Sequence, residues 1–454
     1  MPSISRFNHM QRLHDGNYLA FNAATGAVGL MTSENFAVYE QLCGKLSNGR
    51  PMALTDEEQV LLGQLSYGGF VKDDGVSECE DLKFRYRDSR YETTSLGLVI
   101  APTMACNMAC EYCFESNKAG RMSAKVVEGL IGFVERRAPK LVDFQVTWYG
   151  GEPLLALDII EDLTTAFVDL QKEHGFSYGA GGIMTNGYLL TRENVDRIKN
   201  LRVGEVQVTI DGPARIHNRK RPLKNGKDSF DIIMANLSYA CTQFPIVIRI
   251  NVDKSFTPGI INELLVELDA AGLKNRAGIY FGHLEPSTVA CANIAESCYE
   301  TKAYSQTELA YYRLLLDEGF TIEKLPQPIL TYCLAQRRNS FLIDPDGDLY
   351  RCFNYVGDKS KVTGNVLQDV DYKSAEFLRL FNFDPFEQDS CRDCGILPLC
   401  MGGCPARRAD RSIDESEFCD SWKYNLNPML ELIAQSRRQA SAATTSRPTQ
   451  ETQK

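Results

Sequence analysis

Three cysteines stand close together in the stretch MACNMACEYC, with the spacing Cys106-x3-Cys110-x2-Cys113. Thiolates at such short spacing are typical ligands of zinc or of an iron–sulfur cluster, and a closed site has four protein ligands. Three thiolates that bind a [4Fe-4S] cluster leave one iron open to another molecule. The triplet therefore predicts either an open cluster or a zinc site whose fourth ligand comes from elsewhere in the chain.

Seven further cysteines form a second spaced set toward the C-terminus. It begins as Cys333-x13-Gly347-x4-Cys352 and continues as C-x2-C-x5-C-x3-C with one more cysteine after a gap of fourteen: Cys391, Cys394, Cys400, Cys404 and Cys419. The C-x2-C run alone would fit a zinc knuckle, but the upstream pair and the last cysteine favour iron–sulfur ligation. The other five cysteines are scattered, and we expect small buried hydrophobic side chains there: Cys43, Cys79, Cys241, Cys291 and Cys298.

Composition limits the classes of protein that fit. A chain of 454 residues is too long for one core and favours two or three domains. A net charge of −10 argues against a nucleic-acid binder. The sequence has no apolar run of about 18 residues and no apolar signal-peptide core, so we expect a cytoplasmic protein without membrane contact. In that reducing compartment, clustered cysteines indicate metal ligation rather than disulfides.

The elements that position the first triplet are repeated βα units. From about residue 91 to 320, apolar strands alternate with amphipathic helices, which predicts a parallel sheet covered by helices. About six units predict an α/β fold with a partial (β/α)6 barrel and its site at the carboxyl ends of the strands. The triplet follows the first of these strands, where active-site loops lie.

Two smaller regions flank the predicted barrel. Residues 1–90 read as a hairpin, two helices and a further strand, which predicts a winged-helix-like α+β domain, with a charged linker over 72–92. Residues 321–432 are rich in Cys, Gly and Pro, and such a segment needs a metal to stabilise it. The polar end, 433–454, is predicted to be disordered.

The triplet, with the aromatic Tyr112 between its last two cysteines, resembles the signature of radical S-adenosylmethionine (SAM) enzymes. The resemblance implies that the open iron chelates the amino and carboxylate groups of SAM. Reduction of the cluster by an external donor such as a flavodoxin or ferredoxin would then cleave SAM to a 5′-deoxyadenosyl radical.

Four further motifs occur in the order that this family shows. They are YGGEP, MTNGYLL, VQVTIDGP and RIN, each near the end of a predicted strand. By resemblance, the glutamate of YGGEP contacts the SAM amino group, and the polar residues of the others lie near SAM. The residues predicted to bind the cofactor are Gly150, Gly151, Glu152, Thr185, Asn186, Asp211, Arg249 and Asn251.

The second cysteine set resembles the SPASM extension of some radical SAM enzymes, which carries two auxiliary [4Fe-4S] clusters. The resemblance gives the distal cluster four ligands: Cys391, Cys394, Cys400 and Cys419. It gives the proximal cluster only three: Cys333, Cys352 and Cys404. Either Cys298 or Cys291 supplies the fourth, or the proximal cluster also has an open iron that could bind a substrate thiolate.

SPASM enzymes mostly modify peptides or proteins. In anaerobic sulfatase maturases a base aspartate commonly follows the cysteine that matches Cys352, but this chain has Phe353 there. The N-terminal unit loosely resembles leader-recognition domains, which add an extended peptide to a sheet edge. We therefore expect a maturase that forms a thioether crosslink in a ribosomally made precursor peptide. Carbon–carbon crosslinking and conversion of Cys or Ser to formylglycine stay open, and no catalytic base is identified.

Overall fold

The computed structural model describes residues 2–47, 53–72, 75, 77–115, 120–410 and 414–445. Its N-terminal unit contains five short strands and two helices. In chain order these are β1 (Ser3–Ile4), β2 (Asn8–Arg12), β3 (Tyr18–Asn22), β4 (Val28–Met31), α1 (Ser33–Ser47), α2 (Asp56–Tyr67) and β5 (Val71–Lys72).

The N-terminal hairpin forms where the sequence predicts it. Strands β3 and β4 pair around the predicted turn, and β2 adds a third antiparallel strand on the other side of β3. Strand β1 pairs with β5 in a separate two-stranded sheet. Helix α2 begins at a capping box, in which the Thr55 side chain accepts from the Glu58 N–H and the Glu58 side chain accepts from the Thr55 N–H. The winged-helix comparison itself stays a prediction.

The prediction of a linker over 72–92 is wrong, because helix α3 (Glu78–Tyr91) lies there. Its many charged residues suggested an exposed connection, but Leu82 and Tyr86 are buried at helical spacing. The Tyr86 hydroxyl donates to the Phe383 carbonyl at 3.0 Å, which fixes the helix to the C-terminal region.

The central sheet confirms the predicted βα alternation. Its strands are β6 (Ser95–Ile100), β7 (Asp143–Trp148), β8 (Ser177–Tyr178), β9 (Gly181–Thr185), β10 (Val203–Thr209), β11 (Ile246–Val252) and β12 (Ala277–His283). Strands β6, β7, β9, β10, β11 and β12 are parallel neighbours in that order, and the short β8 pairs with β7. Their carboxyl ends therefore meet at one edge of the sheet, while closure into a barrel stays a prediction.

Helices follow most of these strands. They are α4 (Ala124–Glu135), α5 (Leu157–His174), α6 (Arg192–Ile198), α7 (Ala214–Lys220), α8 (Phe230–Ala240), α9 (Pro258–Ala270) and α10 (Thr301–Asp317). Ser123 and Thr191 cap two of these helices, because their side chains accept hydrogen bonds from the first turns of α4 and α6. No helix among the described residues is both long and apolar enough to span a membrane.

The C-terminal region joins the same sheet. Strand β13 (Ser340–Ile343) pairs in parallel with β6, and β14 (Leu349–Tyr350) pairs antiparallel with β13. Short elements follow: β15 (Gly364–Asn365), β16 (Asp369–Val370), α11 (Ala375–Phe381), α12 (Asp389–Arg392), α13 (Leu397–Cys400) and α14 (Pro405–Arg408). As predicted, most of this region has little regular structure.

The chain then forms a long helix, α15 (Trp422–Thr445). The prediction of disorder is therefore wrong for 433–445, whereas 446–454 lie outside the described residues. Buried Leu426, Met429 and Leu430 pack into the main core at helical spacing, and this anchored turn allows the polar end to continue as helix. The Asn425 side chain donates to the Ser305 carbonyl at 3.0 Å and so ties α15 to α10.

The N-terminal unit and the C-terminal region share one hydrophobic core. Phe7 and Phe21, from the N-terminal unit, belong to the same buried cluster as Leu397. The His9 ring nitrogen Nε2 is 3.3 Å from the Gly395 carbonyl, next to the C-x2-C run. The N-terminal unit is thus packed directly against the second cysteine set.

Candidate active site

The first cysteine triplet lies at the carboxyl edge of the sheet, in the loop after β6, beside the YGGEP loop after β7. Gly151 N–H donates to the Thr103 carbonyl at 3.2 Å, and Glu152 N–H donates to the Ala105 carbonyl at 2.9 Å. A Cβ at Gly150, where φ is +125°, would lie 2.2 Å from the Thr103 oxygen, and one at Gly151 would lie 2.4 Å from the Met104 oxygen. Only glycine permits this approach, so the YGGEP loop fixes where the cysteine loop begins.

A cavity of about 430 Å³, here called the central cavity, opens beside the triplet. It brings together all three cysteines and six of the eight residues predicted to bind the cofactor. The residues so placed are Cys106, Cys110, Cys113, Gly150, Gly151, Thr185, Asn186, Arg249 and Asn251.

Glu152 does not line the central cavity. Its carboxylate is fully buried and accepts hydrogen bonds from Thr185 Oγ1 at 2.8 Å, Asn186 N–H at 2.8 Å and Leu154 N–H at 3.1 Å. Burial raises the pKa of this carboxyl group, against the lowering effect of these hydrogen bonds. Glu152 therefore ties the ends of β7 and β9 together, and its contact with an ammonium group stays a prediction.

Asp211 is likewise fully buried, behind the cavity wall. Its carboxylate accepts from the Tyr112 hydroxyl and from the Asn251 N–H, the latter at 3.2 Å, and lies 3.5 Å from Arg221. Arg221 also donates to the Tyr112 oxygen. Burial holds the pKa of Tyr112 well above its ordinary value, so the hydroxyl stays a donor. This network anchors the cysteine loop to β10 and β11.

The donor set of the triplet fits an iron–sulfur cluster with one open iron. Met108 N–H donates to Cys106 Sγ at 3.4 Å, and Asn186 Nδ2 lies 3.8 Å from the same sulfur. Such hydrogen bonds stabilise cluster-bound thiolates. Burial raises the pKa of Cys106 to about 11, so the metal's charge is needed to keep it deprotonated.

A second cavity, of about 180 Å³, is lined by the four cysteines predicted to bind the distal cluster. We call Cys391, Cys394, Cys400 and Cys419 the quartet. Arg408 Nη2 donates to Cys391 Sγ at 3.2 Å. Four soft sulfur donors around a small cavity fit a closed four-thiolate cluster. Cys404 does not line this cavity, in agreement with its assignment to the other auxiliary site.

Cys333, Cys352 and Cys404 form the trio predicted to bind the proximal cluster. Burial, together with the charge of nearby Cys404, raises the pKa of Cys333 to about 11 and of Cys352 to about 12. The three thiols are therefore electrostatic neighbours. The two candidate fourth ligands interact within their own segment, since Cys291 Sγ lies 3.4 Å from the Thr288 hydroxyl and Cys298 Sγ lies 3.3 Å from the Ile294 carbonyl. The fourth ligand stays open.

Another cavity, of about 890 Å³, runs along β12 and reaches Cys404 and Cys419. We call it the edge cavity. It shares Arg249, His283 and Glu285 with the central cavity. The sequence analysis did not identify His283 and Glu285 as site residues. The sequence feature that could have indicated them is their position at the end of the last strand of the βα units.

Sequence reasoning also missed the role of Tyr149, the first residue of YGGEP. Its ring packs edge-on against Phe353 with centroids 5.1 Å apart, and both line the central cavity. Phe353 thus places an aromatic face at the position where the sulfatase maturases are expected to carry an aspartate. An aromatic ring cannot accept a proton there.

Comparison with known proteins agrees with this geometry. The profile of the radical SAM superfamily matches residues 100–266. A cysteine-type anaerobic sulfatase-maturating enzyme of Clostridium perfringens is 27% identical over 368 residues, covering 72% of this chain and 94% of that enzyme. The mycofactocin maturase MftC of Mycolicibacterium smegmatis is 28% identical over 336 residues, covering 67% of this chain and 77% of MftC.

Two solved structures share the fold. Native anSMEcpe with bound AdoMet (SAM) aligns with a TM-score of 0.57 at 21% identity, covering 76% of this chain and 99% of that one. Streptococcus suis SuiB bound to its precursor peptide SuiA aligns with a TM-score of 0.53 at 15% identity, covering 92% and 98%. Residues 100–266 form a radical SAM domain, and the protein is an enzyme with a cysteine-rich, SPASM-like C-terminal region.

Proposed function

We propose that the protein matures a ribosomally made precursor peptide by forming a thioether bond between a cysteine sulfur and a carbon atom. The observation that carries this proposal is the continuity of two cavities. The central cavity, beside the triplet, meets the edge cavity, which reaches Cys404, at Arg249, His283 and Glu285. A substrate at this junction touches the radical-generating site on one side and the predicted proximal site on the other.

The chain's own residues hold the junction in shape. Arg249 Nε donates to Asn251 Oδ1 at 2.8 Å, and its Nη1 donates to the Tyr280 hydroxyl at 3.1 Å. Tyr280 in turn donates to Gln207 Oε1 at 3.1 Å. Arg249 is thereby held across the boundary between the cavities, where its guanidinium can orient a carboxylate or a peptide carbonyl.

The cofactors supply the redox chemistry. Three [4Fe-4S] clusters would be held by the triplet, the trio and the quartet, and bound SAM would supply the radical that removes a hydrogen atom from the peptide. Formation of the C–S bond then releases a proton from the cysteine thiol and one electron. The cluster held by the trio, whose Cys404 lines the edge cavity, would accept this electron.

The N-terminal unit offers a place for the leader of the precursor. Strand β4 is the outer strand of the β2–β3–β4 sheet, so one of its edges is unpaired among the described strands. The side chains of Val28 and Leu30 on this strand are 62% and 59% exposed. An extended leader could pair with that edge and cover both side chains. The similarity to SuiB, whose structure was solved with its precursor peptide SuiA, supports a peptide substrate.

A sulfatase-type maturase is the second candidate, because the anaerobic sulfatase-maturating enzymes similar to this chain align with it over 84–94% of their own length. Phe353 argues against this candidate, because its ring packs against Tyr149 at the position where a catalytic base would be needed. Carbon–carbon crosslinking would use the same sites and differs only in which group captures the substrate radical.

The test is anaerobic co-expression with the short cysteine-containing peptides encoded beside the gene, followed by tandem mass spectrometry. The expected product has lost the mass of two hydrogens, resists thiol alkylation at one cysteine, and requires the leader. A sulfatase-derived peptide serves as the comparison substrate. Its conversion to an aldehyde, with no crosslink in any precursor, would replace the proposal by the second candidate.

A further inference from the structure

His283 is a partly buried histidine at the end of β12, where the central cavity meets the edge cavity. It lines both cavities, and its side chain is 16% exposed. The ring stacks on the ring of Tyr304, with the centroids 4.4 Å apart and an angle of 12° between the planes. The imidazole is therefore held in one orientation at the junction, within reach of a molecule in either cavity.

The hydrogen bonds of this ring determine which of its nitrogens is basic. Nε2 lies 2.7 Å from the Tyr299 carbonyl oxygen. Because a carbonyl oxygen only accepts, Nε2 carries the hydrogen, and in the neutral ring Nδ1 has a free lone pair. Nδ1 lies 3.4 Å from Oε1 of Glu285, which also lines both cavities. A proton taken up by Nδ1 would thus lie beside a carboxylate oxygen that can accept a hydrogen bond from it.

Groups of both charges surround His283. They are Glu285 after β12, Arg249 of β11, Arg407 of α14, and Tyr304 with its partner Glu308 on α10. Glu285 forms an ion pair with Arg407. The carboxylate of Glu285 favours a positive charge on the ring, whereas the guanidinium groups of Arg249 and Arg407 oppose one. This balance allows the ring to be neutral before the reaction and to release its proton afterwards.

We propose that His283 is the base that accepts the proton released when the substrate radical is oxidised. In thioether formation, the S–H bond of the cysteine breaks and the C–S bond forms. The proton goes to Nδ1 of His283, and the remaining electron goes to an oxidised iron–sulfur cluster. Glu285 stabilises the resulting imidazolium by its negative charge. The base thus lies at the end of β12 and not after Cys352, where Phe353 cannot take up a proton.

This role rests on the proposed function, because it requires a peptide radical that is oxidised. It does not depend on which bond is then formed. Carbon–carbon crosslinking and formylglycine formation also remove one proton and one electron from the substrate radical, so each of these reactions needs a proton acceptor as well.

The test compares three variants of the reconstituted holoenzyme. H283Q removes the base, and E285Q removes the neighbouring carboxylate without changing the size of the side chain. The matched control is H174Q. His174 is also a partly buried histidine near a carboxylate, with Nε2 3.9 Å from Glu173 Oε1, but it lines neither cavity. Iron content and circular dichroism should be unchanged in all three.

The first measurement uses the peptide that the enzyme oxidises, either a precursor or the sulfatase-derived peptide, in heavy water with excess dithionite. The amount of 5′-deoxyadenosine gives hydrogen abstraction, and the amount of oxidised peptide gives completed reactions. In H283Q we expect the ratio of oxidised peptide to 5′-deoxyadenosine to fall about a hundredfold, with an almost unchanged rate of abstraction. The remaining radical should be reduced and take up one deuterium. In the wild type the ratio should fall in acid, where His283 is already protonated, and added imidazole should raise it in H283A.

The second measurement needs no peptide. Diethyl pyrocarbonate reacts only with the neutral imidazole, and tandem mass spectrometry locates the label. Labelling of His283 should begin at lower pH in E285Q than in the wild type, because the carboxylate that favours the protonated ring is gone, and H174Q should not change it. An unchanged product ratio in H283Q, an equal loss in H174Q, or labelling that E285Q does not shift would overturn the inference. If no peptide is oxidised at all, the proposed function fails and this role fails with it.

Discussion

The triplet lies on one loop held between regular strands, whereas the quartet lies in a region of one-turn helices and turns. Around the triplet, residues at the ends of β9, β10 and β11 hold the loop. Asn186 donates to Asn107 at 2.7 Å, and Tyr112 forms hydrogen bonds with Asp211 and Asn251. Around the quartet, α12 and α13 have only four residues each, and the sulfurs themselves face the small cavity. The fold thus positions the first site, whereas the cluster at the second site must stabilise the chain around it.

The comparison also explains the different numbers of ligands. A loop that is already fixed can leave one iron open, because the cluster is not needed to fold it. A region stabilised by its cluster gains most when all four irons are bound to protein.

The largest effect is expected for C106A/C110A/C113A. SAM cleavage, measured as 5′-deoxyadenosine by liquid chromatography, should fall to background, because no cluster can then bind SAM. The free energy of unfolding of the metal-free protein should change by no more than about 1 kcal/mol per cysteine. Persistent cleavage would show that the triplet is not the radical-generating site.

Gly151→Ala tests whether the fold positions the triplet. Its Cβ would lie 2.4 Å from the Met104 oxygen and 2.5 Å from the Ala105 oxygen, so the cysteine loop must move. We expect SAM cleavage to slow about a hundredfold, the usual cost of a misplacement near 1 Å. Gly63→Ala, on α2 with nothing within 4 Å of its Cβ, is the matched control and should leave the rate unchanged.

Cys400→Ala tests the quartet. We expect the loss of roughly four irons per chain and of roughly 3–5 kcal/mol of holoenzyme stability, because the C-terminal region depends on this cluster. Chemical denaturation with iron quantification measures both. Cys241→Ala, at an isolated half-buried cysteine, should cost about 1 kcal/mol and no iron. If C400A keeps full stability, the quartet is not a structural site.

Asp253→Asn tests the part of the fold around the end of β11, which we expect to be stable without a bound metal. Burial acts to raise the pKa of Asp253, but hydrogen bonds from Lys220 and Ser255 outweigh it and hold that pKa below its usual value. A carboxyl group whose pKa is lower in the folded state than in the unfolded state stabilises the fold when the pH is above the unfolded pKa. This stabilisation is lost as the pH falls through the folded pKa.

The variant should therefore lose about 3 kcal/mol near neutral pH and much less in acid, with a flatter pH profile than the wild type. Denaturation should give the same loss with and without bound iron. A loss confined to the iron-loaded protein would mean that the scaffold depends on its cluster, and the comparison between the two sites would fail.

Patterns along the chain predicted features that depend on residues close in sequence, such as the strand–helix alternation and the N-terminal hairpin. The grouping of the quartet came from the resemblance to the SPASM extension, because spacing alone would also have included Cys404. Helix α3 was missed because charged residues dominate its composition and only three of its side chains, Leu82, Tyr86 and Arg90, are buried. The end of α15 was missed because its stability comes from buried residues one to three turns earlier.

The motifs identified loops that contribute residues to the candidate site, but they did not show how deeply each side chain is buried. The motifs identified Glu152 and Asp211 correctly as conspicuous polar residues near strand ends. Spacing could not show that both lie behind the cavity wall, because their burial depends on Thr185, Asn186 and Tyr112 from other strands and loops. His283 and Glu285 carry no motif at all, and only the packing of β12 beside the C-terminal region places them at the cavity junction.

The shared core of the N-terminal unit and the cysteine-rich region limits how the protein can be engineered. If the N-terminal unit binds the leader, exchanging it would redirect the enzyme to new peptides, but cutting the chain near residue 90 would remove Phe7 and Phe21 from the core that also contains Leu397. It would also break the contacts of Arg6 and His9 with the carbonyls of Arg392 and Gly395 beside the quartet. A workable graft should keep β2, β3 and α3 with the enzyme and exchange only β4, α1 and α2.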